Sequence, residues 1–181
     1  MADQIGVMIA KLEALRYPTG PSRYYGLDLS ICLQAGALAG SLIVASALLE
    51  VYIRGLVVRY SEQAQATYAR KIEAELELEE MRGEGFNKLI AHLVDAGLFD
   101  TDDAETAKKI YREVRIPAHH GLPSRLLGRT KSDPFRSIWG LLGLGTEVSM
   151  QEFEEFVENE ALPIIGTIVN IMERNQVREY A

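Results

Sequence analysis

The sequence predicts an all-α fold: a single helical bundle with a long apolar central helix and a long C-terminal helix. Apolar residues recur at three- and four-residue spacings along most of the 181 residues, and polar and apolar residues rarely alternate as they do in half-buried strands. A composition of 48% hydrophobic and 25% charged residues is typical of a folded chain, and excludes a polytopic membrane protein. The length suits one core, so we expect a single domain over 1–181.

The first element is an amphipathic helix. Its core-facing residues are Ile5, Met8, Ile9, Leu12 and Leu15. The following PTGPS stretch is expected to break the helix, because proline and glycine disfavour helix interiors. We therefore expect an N-terminal helix and loop over 1–27 and the main bundle over 28–175.

The central helix is the most hydrophobic segment, LDLSICLQAGALAGSLIVASALLEVYIRGLVVRY, which is apolar almost all round. Residues 29–49 carry no charge and are long enough to cross a bilayer, and Gly36 and Gly40 have the GxxxG spacing. Four polar side chains dilute this run, and its flanks show no clear excess of Lys and Arg. A buried bundle helix is thus favoured over a membrane anchor, which remains an alternative.

Near the end of that helix, Glu50 and Arg54 lie four residues apart. As an exposed intrahelical pair they would contribute only about 0.3–0.5 kcal/mol. If they face inward, they become candidates to orient a functional site.

Four further segments complete the helical pattern. Residues 61–82 are strong helix formers with a charged surface, and 86–98 form an amphipathic helix with Gly97 as a stop signal. Thr101 or Asp102 is expected to cap the next helix. A long last helix begins after the capping box at 149–152, and its Pro163 is expected to kink or interrupt it.

Positive charge is concentrated in one stretch. Residues 106–136 contain eight basic and two acidic side chains, a net charge of +6 that leaves −13 for the remainder of a chain with net charge −7. The basic residues are Lys108, Lys109, Arg112, Arg115, Arg125, Arg129, Lys131 and Arg136. Such a patch would attract a phosphate-bearing ligand. Alternatively, it pairs with the acidic runs at 73–84 or 147–160.

The same stretch carries two of the three histidines, in YREVRIPAHHG. Arg115, four intervening residues, His120 and Gly121 resemble the arginine-to-histidine motif of HEPN domains, which are small all-helical bundles. The order of the segments ASALLEVYIRGL, KLIAHLVDAGLF and IYREVR is also similar to that family, over about residues 28–175.

The resemblance implies a metal-independent endoribonuclease or an RNA-binding protein of a defence or toxin system, acting as a homodimer without cofactor or metal. The histidine would move the proton of a ribose 2′-hydroxyl, and the arginine would stabilise the phosphate. The catalytic candidates are Arg115, His120 and His119. The substrate-binding candidates are Arg112, Lys108, Lys109, Arg125 and Arg129, and Glu50 and Arg54 would orient the site.

Two features leave alternatives open. The position after Arg115 is often polar in active members of the family, and Ile116 here favours a catalytically silent module that binds a protein partner or dimerises. Pro117 disturbs helical geometry, so either His119 or His120 can come to lie beside Arg115. His92, on an amphipathic helix, is expected to be a structural or surface residue.

The compartment is expected to be the cytoplasm. The sequence start lacks a basic region followed by a long apolar run, so no signal peptide is predicted. Cys32 is the only cysteine, which excludes an intramolecular disulfide and a cysteine metal cluster.

Overall fold

The computed structural model describes residues 2–64, 85–116 and 157–177. In these ranges the protein is all-α, as the sequence predicts, and contains no strand. The helices are α1 (Ala2–Ala14), α2 (Gly20–Gln34), α3 (Leu38–Ala64), α4 (Gly85–Asp95), α5 (Thr101–Ile110) and α6 (Leu162–Arg174). A π-helical turn, Tyr111–Arg115, follows α5, and a second, Val157–Ala161, precedes α6.

Helix α3 forms the centre of the bundle, in contact with α2, α4, α6 and both π-helical turns. Its side chains in the shared apolar core are Leu38, Leu42, Ala45, Leu48, Leu49, Tyr52, Ile53, Leu56 and Val57. They belong to one apolar cluster that draws residues from all six helices. Each fully buried aliphatic side chain contributes about 1.5–3 kcal/mol, so this cluster is the main source of stability.

The predicted long apolar central helix is present as α3, but the prediction that one helix covers the whole apolar run is wrong, because the chain turns at Gly36. Gly36 has φ of 69°. The amide of Ala37 donates to the carbonyl of Cys32 at 2.9 Å, and the amide of Gly36 donates to that of Leu33 at 3.1 Å. This is the glycine-terminated C-cap that satisfies the last carbonyls of a helix. The run is therefore divided between α2 and α3.

The first helix ends before PTGPS as expected, but the loop that follows covers only 15–19, because α2 begins at Gly20 and residues 20–27 are helical. Thr19 caps the helix: its side chain accepts from the Ser22 amide at 3.4 Å, and the Ser22 hydroxyl accepts from the Thr19 amide at 3.2 Å. Pro21 lies in the first turn, where a missing amide hydrogen costs no intrahelical bond. The proline expected to break a helix thus stands at a helix start.

The turn at Gly36 also bears on the alternative of a membrane anchor at residues 29–49. Residues 29–49 do not form one helix, but the segment Gly40–Tyr60 of α3 is long and apolar enough to cross a membrane by length and composition. In its most apolar window, 67% of the residues are buried inside the bundle. Central helices of soluble bundles have the same two properties.

Helix α1 packs on the same core through Met8 and Leu12, and Leu15 joins them directly after its end. Lys11 links the outer side of α1 to α6. The Lys11 Nζ donates to Asn170 Oδ1 at 2.8 Å and to Glu173 Oε2 at 2.6 Å. The N-terminal helix is therefore an integral part of the bundle.

The connection from α4 to α5 follows the predicted stop signal but not the predicted cap. Gly97 has φ of 68°, and the Leu98 amide donates to the Leu93 carbonyl at 2.8 Å. The N-cap of α5 is Asp100, whose carboxylate accepts from the amides of Asp102 and Asp103 at 2.9 and 3.1 Å. Four acidic or hydroxyl residues in succession all suit an N-cap, which is why the predicted cap lies one or two residues too late.

The N-terminus of α5 is tied to the end of α6 by a polar cluster at Asp103. The carboxylate of Asp103, which is 8% exposed, accepts from Arg174 Nε at 3.0 Å and from its Nη2. It also accepts from Asn175 Nδ2 at 2.7 Å, while Asn175 Oδ1 accepts from the Asp100 amide at 2.9 Å. Burial acts to raise the pKa of Asp103, but the bonds from Arg174 and Asn175 outweigh it and hold this pKa below its usual value.

Pro163 stands at the junction between the second π-helical turn and α6, in the first turn of that helix. The C-terminal segment therefore changes helical type where the proline was expected to interrupt it. Helix α3 continues to Ala64, so 61–64 belong to it. The remainder of the predicted helix 61–82 and the capping box at 149–152 lie outside the described residues.

Candidate functional site

Arg115 lies on the π-helical turn that follows α5. This turn packs against α3 and, through Tyr111, against α4. The turn is recognisable from the amide of Ile116, which donates to the carbonyl of Tyr111 five residues earlier. Tyr111 stacks on the buried ring of Phe86 with a centroid distance of 3.9 Å and an interplanar angle of 13°. Val114 is buried in the core, so apolar packing fixes the turn beneath the arginine.

The carboxylate of Glu50 joins Arg115 to α3. Arg115 Nε donates to Glu50 Oε2 at 2.6 Å. Arg54 donates to the other oxygen, Oε1, from Nε at 3.1 Å and from Nη2 at 2.7 Å. Two arginines thus share one carboxylate, and the three residues that the sequence assigns to a site and its orientation lie in direct contact.

This cluster is largely removed from solvent. The side chains of Glu50, Arg115 and Arg54 are 13%, 17% and 23% exposed. Arg115 keeps its positive charge, and Coulombic interactions are stronger in such a partly buried site than at an exposed surface, so its guanidinium is suited to binding an anion.

Among the described residues, the guanidinium of Arg115 has a hydrogen-bond partner along one edge only. Nε is its hydrogen-bond donor to Glu50, and no hydrogen bond of Nη1 or Nη2 occurs with the residues that the structure describes. These two nitrogens carry four N–H donors in a planar fork, which matches two oxygens of a phosphate. Glu50 therefore fixes the guanidinium plane, while none of the described residues occupies the outer nitrogens.

The other cationic candidates are more exposed. Arg112 is 62% exposed and pairs with its neighbour Glu113 at 2.8 Å. Lys108 pairs with Glu105 at 2.7 Å, and Lys109 lies on the exposed surface of α5. These three cations can add to the local positive potential, but they do not join the Glu50 cluster.

Four candidates, His119, His120, Arg125 and Arg129, lie outside the described residues, as does most of the basic stretch. Ile116 is half-buried directly after Arg115, and His92 is exposed near the end of α4. In the described ranges, no group of three or more His, Cys, Asp or Glu side chains could hold a metal ion.

Sequence reasoning missed two features of the site. The π-helical turn has no signature in the residue pattern, yet it separates Arg112 from Arg115, which an α-helix would place on one side. The direct bond between Glu50 and Arg115 joins residues 65 positions apart. Its only sequence signal is the presence of two charges, Glu50 and Arg54, in an otherwise apolar run.

The chain was compared with protein-family models, with curated proteins and with solved structures, and no match was found.

Proposed function

We propose that this protein is HEPN-like, binds RNA through a phosphate contact at Arg115, and cleaves it without a metal by means of His119 or His120. The observation that carries the proposal is the 2.6 Å bond from Arg115 Nε to Glu50, which leaves the outer nitrogens of a largely buried arginine unoccupied by the described residues and open to a ligand. The placement of Arg115 just before the two histidines supports the cleavage step.

The proposed chemistry needs one group that handles protons and one that holds charge. Histidine titrates near neutral pH, so the imidazole can take the proton of a ribose 2′-hydroxyl. The 2′-oxygen then attacks the adjacent phosphorus, which gives a cyclic phosphate and releases the 5′-oxygen of the next nucleotide. Arg115 keeps its charge throughout and stabilises the phosphate oxygens as negative charge develops.

Exposed cations near Arg115 support a polyanionic ligand over a small one. Lys109 and Arg112 flank the turn on the solvent side, and Arg112 keeps most of its surface exposed although it contacts Glu113. A strand of RNA presents one phosphate per nucleotide, so several cations along the turn can contact it at once.

The test is incubation of metal-free protein with a pool of labelled RNA in the presence of a chelator, followed by analysis of the fragment ends. We expect cyclic-phosphate ends, lost in Arg115→Ala and in one of His119→Ala and His120→Ala. Arg59→Ala is the matched control: Arg59 is exposed on α3, nine residues after Glu50 and so on the opposite side of that helix. Cleavage retained by Arg115→Ala and by both histidine variants would refute the proposed roles.

A second candidate is a catalytically silent module of the same fold. Ile116 favours it, because an apolar, half-buried side chain follows Arg115 where active members of the family often carry a polar one. Under this proposal RNA or a protein partner is bound but no fragments form. RNA binding that depends on Arg115, without cleavage by wild type, would favour the silent module over the enzyme.

A further inference from the structure

The outward face of α2 is unusually apolar for a solvent-exposed surface. Tyr24, Leu27 and Ile31 are 72%, 52% and 62% exposed. Their spacings of three and four residues align them as one stripe along the helix. The opposite face of α2 packs on the bundle through Leu29 and Leu33, which are 0% and 1% exposed. Helix α2 thus has two apolar faces, and among the described residues its own chain covers only one of them.

The stripe has the positions of a coiled-coil seam. With Tyr24 and Ile31 at a positions, Leu27 occupies the intervening d position. The two charged residues of α2 lie on either side of the seam: Arg23 at a g position and Asp28 at the following e position. Oppositely charged side chains at g and e, five residues apart, are the arrangement that pairs two parallel helices.

We propose that α2 pairs in parallel with α2 of a second copy of this chain, across a two-fold axis that runs along the seam. In this arrangement Arg23 of each copy faces Asp28 of the other, because a parallel two-fold axis brings the g edge of one helix against the e edge of its partner. An antiparallel pair would instead place equal edges together, arginine beside arginine and aspartate beside aspartate.

The ends of α2 permit this approach. Gly20 at the first position and Ala35, Gly36 and Ala37 after the last are small, and none of them is buried. Backbones can therefore come close at both ends of the seam. The proposal rests on the surface of α2 alone and does not depend on RNA binding or cleavage at Arg115.

Sedimentation velocity of the full chain over a range of concentrations tests the pairing. We expect a dimer for the wild type, and a dissociation constant at least about tenfold higher for Ile31→Glu, because the variant places a charge in the seam. Val7→Glu is the matched control, since Val7 is 57% exposed on α1 outside the stripe. Circular dichroism checks that each variant keeps its helicity, which substitution of exposed residues should preserve.

Charge reversal tests the orientation. Arg23→Glu should weaken the dimer, because the introduced carboxylate of one copy then faces the carboxylate of Asp28 in the other. The added change Asp28→Arg should restore the affinity to within about twofold of the wild type. In an antiparallel pair the single change only replaces one set of like charges by another. Unchanged association of Arg23→Glu would therefore overturn the parallel arrangement.

Disulfide cross-linking in a Cys32→Ser background is an independent test of whether the two α2 helices pair in parallel. Gly20→Cys and Gln34→Cys place thiols at opposite ends of the seam, about 21 Å apart along the helix. Parallel pairing predicts that each variant cross-links with itself. Cross-links that form only when the two variants are mixed would show antiparallel pairing and contradict the proposal.

A monomeric wild type would overturn the proposal, as would a dimer that Ile31→Glu leaves intact. If the wild type is a monomer, co-sedimentation with vesicles of neutral phospholipid identifies the other occupant. Vesicle binding by wild type that Ile31→Glu abolishes would assign the stripe to a lipid surface.

Discussion

The carboxylate of Glu50 determines how two arginines are arranged inside the bundle. It receives three hydrogen bonds from Arg54 and Arg115, and all three side chains are at least three-quarters buried. Removing the negative charge leaves two guanidinium groups close together without the carboxylate that they share. The loss in free energy of unfolding is set mainly by the buried partner groups whose hydrogen bonds to the carboxylate are lost.

Glu50→Gln should therefore lower the free energy of unfolding by about 1–3 kcal/mol, measured by urea denaturation. The matched control is Glu105→Gln, which removes an ion pair with Lys108 in which Glu105 is 70% exposed. The control should cost no more than about 1 kcal/mol, because solvent screens exposed pairs. Equal small losses in both variants would show that Glu50 does not hold the arginines together.

Asp103 makes the stability of the fold depend on pH. Its pKa in the folded protein is held below the ordinary value by Arg174 and Asn175 against the opposing effect of burial. The folded state therefore binds the proton less readily than the unfolded chain. The stabilisation is present above the unfolded pKa of about 3.9 and is lost as pH falls through the lower folded pKa.

Asp103→Asn should remove this contribution, so the variant should be less stable at pH 7 and should lose less stability than wild type on acidification. Urea denaturation at a series of pH values, from about 7 down to about 3, measures both effects. A variant whose stability falls with pH as steeply as that of the wild type would exclude Asp103 as a source of the acid sensitivity.

At the scale of elements, Gly97 and Gly36 show which helix ends can be predicted from the sequence and which cannot. Gly97 follows an amphipathic helix whose pattern stops, so its role is visible in the sequence. Gly36 lies between two segments that are equally apolar, so periodicity does not change across it, and its positive φ is visible only in the structure. The prediction of Thr101 or Asp102 as the cap fails for a similar reason, because Asp100 is an equally good cap.

Gly36→Ala should destabilise the protein by about 1–2 kcal/mol, since an alanine side chain disfavours a left-handed backbone. Gly40→Ala is a control of opposite sign: Gly40 lies in α3, where an added methyl group would meet Ala37 Cβ only at 4.0 Å. This second change should stabilise the protein by about 0.4–1 kcal/mol. Thermal unfolding of both variants measures the difference, and destabilisation by Gly40→Ala together with no effect of Gly36→Ala would contradict the assigned break.

At the scale of the whole molecule, the all-α class and the identity of most core residues follow from helical periodicity, because burial on one side leaves a regular pattern. The association of Glu50 with Arg115 does not, since it depends on how two distant helices pack. The exposed stripe of α2 is also missed, because its apolar residues fit the pattern of a buried central helix equally well. Periodicity identifies apolar faces but not what covers them.

The bundle thus holds Arg115 so that none of the described residues bonds its outer nitrogens, and we propose that a phosphate binds there beside the exposed cations. The most direct measurement is the RNA affinity of wild type, Arg115→Ala and the control Arg59→Ala over a series of salt concentrations. We expect Arg115→Ala to weaken binding and to reduce the slope of log affinity against log salt by about 0.7, the value for one phosphate contact on a single strand. Arg59→Ala should retain the wild-type affinity and slope. An Arg115→Ala variant that binds RNA with the same affinity and slope as the wild type would contradict the claim.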